Sequence, residues 1–110
     1  MDSSQIVWSR NIRYFGSNSA RIPTSGGVYE ILRNDGKVGY LTIIYVGKAE
    51  DLRKRYSDHL SEEENPCIKR NLINNECYFR YVLLFREEDR QNLEEQLLGK
   101  AKYECNVQEQ

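Results

Sequence analysis

The chain has no apolar run long enough to cross a bilayer. Its longest is Val82-Leu83-Leu84-Phe85, far short of the roughly 20 residues a spanning helix needs. The polar opening Met1-Asp2-Ser3-Ser4-Gln5 has neither the basic nor the apolar region of a secretory signal. Positive charge is not in excess either. Sixteen Lys and Arg stand against seventeen Asp and Glu, a formal net charge of -1, so the overall basic footprint of a strong stand-alone nucleic-acid binder is missing. Cysteine is confined to Cys67, Cys77 and Cys105, an odd number without metal-type spacing. The three read as reduced, small, partly buried residues of an intracellular protein, cytoplasmic or nuclear and not secreted. There is no internal repeat, linker or low-complexity segment.

What remains is an ordinary globular composition of 39% hydrophobic, 11% aromatic and 30% charged residues over 110 positions. That suffices for one domain with one modest core, and a separate DNA-reading module is not expected within it. Residues 1–22 read as a partly packed N-terminal arm and 23–110 as the folded domain. Gly27 to Arg33 is expected to be a strand, Asn34-Asp35-Gly36-Lys37 a hairpin turn, and Leu41 to Val46 the returning strand, since Asp-Gly readily supplies the positive φ that tight turns need. Asp51 is placed to cap a helix reaching about Leu60, and Asn65-Pro66 to start a second. Glu76 to Arg86 reads as a third strand, and Glu87-Glu88-Asp89 opens a helix continuing to about Lys102. The order β, β, α, α, β, α predicts an α+β fold in which a small antiparallel three-stranded sheet is flanked by helices.

Several side chains could carry chemistry. Tyr29 and Tyr45 fall on facing strands and could present their phenols to one surface, although tyrosine is a good strand residue and the chain has eight. Arg55 and His59 are four residues apart and share a helix face; the arginine can fork two donors onto a phosphate, and the histidine can orient a tyrosine or relay a proton. Such pairs are also common on solvated helix surfaces. Lys48, Arg53, Lys54 and Arg55 form a local basic cluster diluted by Glu50, Asp51 and Asp58. Glu94 precedes Leu97, Leu98 and Ala101 at helical spacing, so its carboxylate is expected on the apolar side of the last helix, where acids are unusual unless paired or bound to metal. A single carboxylate completed by waters and a phosphate oxygen suits one Mg²⁺.

Taken together these residues form a pattern. Gly27-Val28-Tyr29 and Tyr45-Val46-Gly47 are followed by Lys48-Ala49, Leu52, Arg55, His59, the run Leu93-Glu94-Glu95-Gln96-Leu97-Leu98, and Asn106 twelve positions after Glu94. In order and spacing this resembles the GIY-YIG nuclease domain family, from about Pro23 to Asn106. The resemblance implies that family's fold and a metal-dependent endonuclease that hydrolyses DNA phosphodiesters with one Mg²⁺ or Mn²⁺. It implies that Tyr29, Tyr45 and His59 manage the nucleophile, with either tyrosine as general base. Arg55 would contact the phosphate, Glu94 would bind the metal, and Lys48 and Asn106 would bind substrate or support the site. RNA is a further substrate to consider, as is a partner protein supplying specificity. The alternative is an inactive domain of the same fold that binds nucleic acid or protein. Tyr103-Glu104-Cys105 stands where prolines often precede the asparagine, which marks this segment as a place where the backbone could differ.

Overall fold

The computed structural model describes residues 6–36 and 39–106. The polar N-terminus over 1–5, the turn residue Lys37 with Val38, and residues 107–110 lie outside the described residues. Four strands, β1 (Ile12–Arg13), β2 (Gly27–Asn34), β3 (Leu41–Ala49) and β4 (Cys77–Leu83), form one antiparallel sheet in the order β1-β4-β2-β3. Three helices, α1 (Leu52–Ser61), α2 (Pro66–Asn74) and α3 (Glu87–Lys100), flank it. This is the expected α+β architecture with one addition. The arm contributes β1, which pairs Ile12 with Phe79 and Arg13 with Tyr78, so the sheet has four strands rather than three. Two residues are too few to show a strand's alternation in sequence.

The local signals act as the residue chemistry requires. Asp51 caps α1 by accepting from the Lys54 N–H, and Asn65 caps α2 by accepting from Cys67 and Ile68. In the hairpin, Asn34 Oδ1 accepts from Gly36 N–H at 2.8 Å and Gly36 takes φ +88°, a conformation that costs other residues heavily. β3 runs on past Val46, because Gly47, Lys48 and Ala49 continue the ladder opposite Tyr29, Val28 and Gly27. β4 stops earlier than expected. Beyond it Arg90 Nη1 gathers the carbonyls of Leu84 and Phe85 at 2.9 and 3.0 Å, and the chain turns into α3.

β2 is central, and its side chains from Val28 to Leu32 are buried on both faces. One face packs Tyr29, Ile31 and Phe79 against Leu52 and Tyr56 of α1 and Ile68 of α2. The other packs Val28, Val46 and Val82 against Leu93 of α3, with Trp8 of the arm alongside. The arm also enters the first face: the Tyr14 ring stacks on Tyr56 with centroids 4.2 Å apart, and Tyr56 Oη donates to Phe15 O at 2.7 Å. Each fully buried large apolar side chain in these layers stabilises by roughly 1.5–3 kcal/mol.

The cysteines require a correction. Cys67 and Cys105 form a disulfide, and only Cys77, the first residue of β4, is free; it is buried, with its thiol pKa pushed up to about 11 by desolvation. The two partners lie 38 residues apart in sequence but 5.2 Å apart at Cα, a proximity created by the docking of the C-terminal segment on α2, which cysteine spacing does not encode. Closing a loop of this length restricts the unfolded chain by about 4 kcal/mol in the chain-entropy account. We expect a thiol reductant to lower the melting temperature by roughly 15–20 °C, measured by circular dichroism. A melting temperature unmoved by reduction would mean that the bond contributes no stability.

Candidate active site

The residues singled out in sequence gather along one side of the β2–β3 hairpin and the start of α1. A register shift between Ile31 and Leu32, opposite Tyr45 and Ile43, leaves Ile44 as an extra residue and lets both Ile44 and Tyr45 address the α1 face. The Tyr29 and Tyr45 rings then lie with centroids 6.1 Å apart, and each meets His59 edge-on, at 5.6 and 5.8 Å. Gly47 is needed here, since a Cβ would stand 2.5 Å from the Tyr29 hydroxyl.

The two tyrosines differ in access. Tyr29 has no solvent exposure, stacks on Phe79, and places its hydroxyl 2.8 Å from His59 Nε2. Tyr45 is half-buried. Burial pushes both phenols above their ordinary pKa, that of Tyr29 well above, and the Arg55 guanidinium beside them pulls both back. Tyr45 also feels the negative charge of Glu94, which places that carboxylate in the same electrostatic field. His59 is buried, and desolvation lowers its pKa while the adjoining Glu63 carboxylate raises it.

Glu94 is half-buried and its neighbour Glu95 exposed. Desolvation raises the Glu94 pKa, and Lys48 opposes the rise. Lys48 Nζ is 4.0 Å from Glu94 Oε1, the only ion pair of Glu94 among the described residues and a loose one. The inward stripe of α3 is Arg90, Leu93 and Leu97. Leu98 and Ala101, expected beside Glu94 on the apolar face, are exposed, and Ala101 lies just past the helix end. Shallow open concavities flank the group. One of about 220 Å³ runs between Lys48, Asp51 and Arg55, and one of about 240 Å³ lies on the other side of Lys48 beside Arg90. Such a surface admits an extended polymer more readily than a small molecule, which favours enclosure.

Asn106 meets the backbone of β3 through its side-chain amide. Its amide makes two bonds with the free edge of β3, Oδ1 accepting from Val46 N at 2.9 Å and Nδ2 donating to Val46 O at 3.0 Å. Cys105 N adds a bond to Ile44 O at 2.8 Å. The C-terminal segment thus braces the backbone on both sides of Tyr45. Sequence reasoning missed Glu63, whose only advance signal is its position four residues after His59. It also missed Arg90, a buried arginine that nothing in the local pattern distinguishes.

Two groups could be considered for a metal. Cys67, Cys105 and Glu104 bring donor atoms within 4.8 Å of one another. With the sulfurs joined, however, there is no thiolate to offer, and Glu104 is engaged by Arg33 at 2.9 Å. Glu94 is the better fit for a hard divalent cation: an oxygen donor, half-desolvated, loosely paired, and beside an open surface where waters can complete the shell.

Comparison with known proteins agrees with this geometry. The family described as the UvrC-like GIY-YIG domain matches residues 25–107. UvrABC system protein C of Bacteroides thetaiotaomicron is 40% identical over 88 residues, covering 80% of this chain and 14% of that protein. The protein of the same name from Bacteroides fragilis is 34% identical over 107 residues, covering 97% of this chain and 16% of its own length. The chain therefore spans less than a fifth of these relatives. Among solved structures, the GIY-YIG N-terminal endonuclease domain of UvrC from Thermotoga maritima, bound to its catalytic divalent cation magnesium, superposes with a TM-score of 0.63. It is 25% identical, with 83% of this chain and 93% of that one covered. A tyrosine-to-phenylalanine variant of the same domain, also cation-bound, gives 0.63 at 26% identity, covering 84% and 93%. These likenesses support a metal cofactor in general. With the motif residues assembled on the expected fold and the family matched over most of its length, the chain belongs to the GIY-YIG nuclease family, as a UvrC-like GIY-YIG domain.

Proposed function

We propose that this chain is an endonuclease that hydrolyses DNA phosphodiester bonds with one divalent cation, Mg²⁺ or Mn²⁺, held by Glu94. The observation that carries the reading is that Tyr45 lies in the field of both Arg55 and Glu94, while Lys48 pairs loosely with Glu94 and lines an open concavity with Arg55, and Asn106 braces the β3 backbone beside Tyr45. Glu94 would hold the cation, which would supply positive charge at the scissile phosphate and lower the pKa of a bound water. Arg55 adds a second, fixed positive charge with paired donors, which strengthens as phosphorus gains charge in the transition state. Tyr45, half-exposed, would meet the nucleophilic water and, as the phenolate, take its proton, after losing its own phenolic proton to solvent; burial opposes that loss and the Arg55 guanidinium favours it. Tyr29, fully buried, sets the positions of His59 and Arg55 from below. Lys48, loosely paired with Glu94, faces the substrate, and Asn106 holds the β3 backbone in place beside Tyr45.

The domain extent we propose remains an arm over 1–22 and a nuclease unit over 23–110, supported by the family match over 25–107. An intracellular setting, cytoplasmic or nuclear, follows from a DNA substrate. It would expose the Cys67–Cys105 bond to reductants. No helix among the described residues is long and apolar enough to cross a membrane. With a formal net charge of -1, the chain has little bulk attraction for nucleic acid, so a partner protein that supplies specificity is part of the same reading.

A supercoiled plasmid incubated with the chain separates nuclease from inactive binding module. Nicking is expected with Mg²⁺ or Mn²⁺ and should vanish in excess chelator while far-ultraviolet circular dichroism stays unchanged. Undiminished nicking in chelator would sink the metal's role, and binding without cleavage in any divalent cation would establish the inactive module. Parallel branched, single-stranded and RNA substrates define the substrate class.

A further inference from the structure

His59 is the chain's one histidine, and both of its ring nitrogens are engaged inside the protein. Its side chain has no solvent exposure and that of Glu63 only 7%. Nδ1 meets a Glu63 carboxylate oxygen, while Nε2 lies 2.8 Å from Tyr29 Oη. Glu63 is itself fixed, since its other oxygen accepts the Asn65 N–H at 2.9 Å. Asn65 in turn caps α2 and donates through Nδ2 to Cys105 O at 3.0 Å. An ionised carboxylate only accepts, so Nδ1 carries the imidazole proton and Nε2 is bare. The Tyr29 hydroxyl must then donate to Nε2. Its oxygen consequently turns lone pairs, not a proton, toward the Arg55 guanidinium beside it.

We propose that Glu63 is a positioning residue of the hydrolytic site: acting through His59 it fixes the direction of the Tyr29 hydroxyl, which gives Arg55 an acceptor that holds its guanidinium toward Tyr45 and the phosphate. The catalytic half of this inference rests on the nuclease reading above, and the hydrogen-bond polarity stands without it. The groups facing His59 are Tyr29 from β2, Tyr45 from β3, Arg55 and Asp58 from its own helix, and Glu63 from the α1–α2 connection. Protonating Nε2 would reverse the Tyr29 bond and turn the phenolic proton onto Arg55. Turnover therefore falls as pH drops through the folded pKa of His59, which burial holds below its ordinary 6.5. Glu63 opposes that depression, so removing it shifts the acid limb to lower pH and also lowers the plateau.

A single histidine makes the test direct. In the intact chain with ¹⁵N-labelled imidazole, long-range ¹H–¹⁵N spectra at pH 7.5 should show one neutral tautomer, protonated at Nδ1 and bare at Nε2. Glu63→Ala should mix the tautomers, whereas Glu63→Gln, whose amide oxygen still accepts, should preserve the wild-type form. Single-turnover cleavage should fall about tenfold or more in Glu63→Ala, with Glu63→Gln between it and wild type and DNA affinity unchanged in both. A wild-type spectrum showing Nε2–H or imidazolium at pH 7.5 overturns the assignment, whether or not the variants fold and whether or not the chain cuts DNA. An active wild type whose turnover and acid limb are unmoved by Glu63→Ala overturns the positioning role. A chain that binds but never cuts refutes the nuclease reading instead, together with the catalytic half of the proposal, and the spectrum still decides the hydrogen-bond half.

Discussion

Arg55→Ala is expected to lower single-turnover cleavage by roughly a hundredfold or more, the range seen when a donor to developing transition-state charge is removed. The size follows from placement. Arg55 is half-buried between the two phenols rather than spread on the surface, so its charge acts in a partly desolvated setting, against a group it already faces. Lys54→Ala is the internal control, because Lys54, though it lines the same concavity, pairs with Asp58 at 3.0 Å rather than with either phenol and has a side chain 72% exposed. Its loss should change cleavage less than about threefold, in keeping with weak exposed pairs. Arg53 is a poorer control than its position in the basic cluster suggests. It donates from Nε to Ile22 O at 2.7 Å and from Nη2 to Ala20 O at 3.3 Å, so Arg53→Ala should cost about 1 kcal/mol of stability and leave turnover largely intact. Equal damage at Arg55 and Lys54, read as turnover at saturating DNA, would mean a diffuse binding patch and withdraw the assignment of Arg55.

The parts of this molecule that were legible in the sequence are those fixed by short-range chemistry. The Asp-Gly turn, the Asp51 and Asn65 caps, and the long alternating strands each follow from backbone and side-chain preferences within a few residues. The candidate site was legible because its residues are spaced by the elements that hold them: Tyr29 and Tyr45 across a hairpin, Arg55 and His59 one helical turn apart. What escaped depends on long-range docking. β1 exists because the arm meets β4, the disulfide because the C-terminal segment meets α2, and the Asn106 brace because that segment lies along the open edge of β3. Glu63 sits in the run Glu62-Glu63-Glu64, and only the fold shows that its side chain turns inward to His59 while Glu62 and Glu64 stay exposed. On α3 the spacing placed Glu94 rightly at the edge of the buried stripe but credited it with Leu98, which is solvent-facing; Leu93, one residue before it, is the true anchor.

The adjacent pair Glu94 and Glu95 offers the largest contrast that one residue of helix register can produce. Glu94 is half-buried, feels Lys48, and acts on Tyr45, whereas Glu95 is exposed and accepts from Gln91 Nε2 at 3.1 Å on the solvent side of α3. Glu94→Gln keeps the shape of the side chain but removes the charge that would hold a divalent cation. Turnover should then fall to near background, roughly a thousandfold or more, as expected when the metal's share of transition-state stabilisation is lost. DNA affinity should be equal or higher, since one negative charge near phosphate is gone. Melting temperature should rise or hold, because a half-desolvated carboxylate with a loose partner is replaced by a neutral amide. Glu95→Gln should behave as wild type in all three respects. The decisive measurement is single-turnover cleavage of one duplex across a Mg²⁺ titration, with wild type, Glu94→Gln and Glu95→Gln side by side. The account predicts saturable Mg²⁺ dependence for wild type and Glu95→Gln and no cleavage at any Mg²⁺ concentration for Glu94→Gln; full activity of Glu94→Gln, or loss confined to Glu95→Gln, would contradict it.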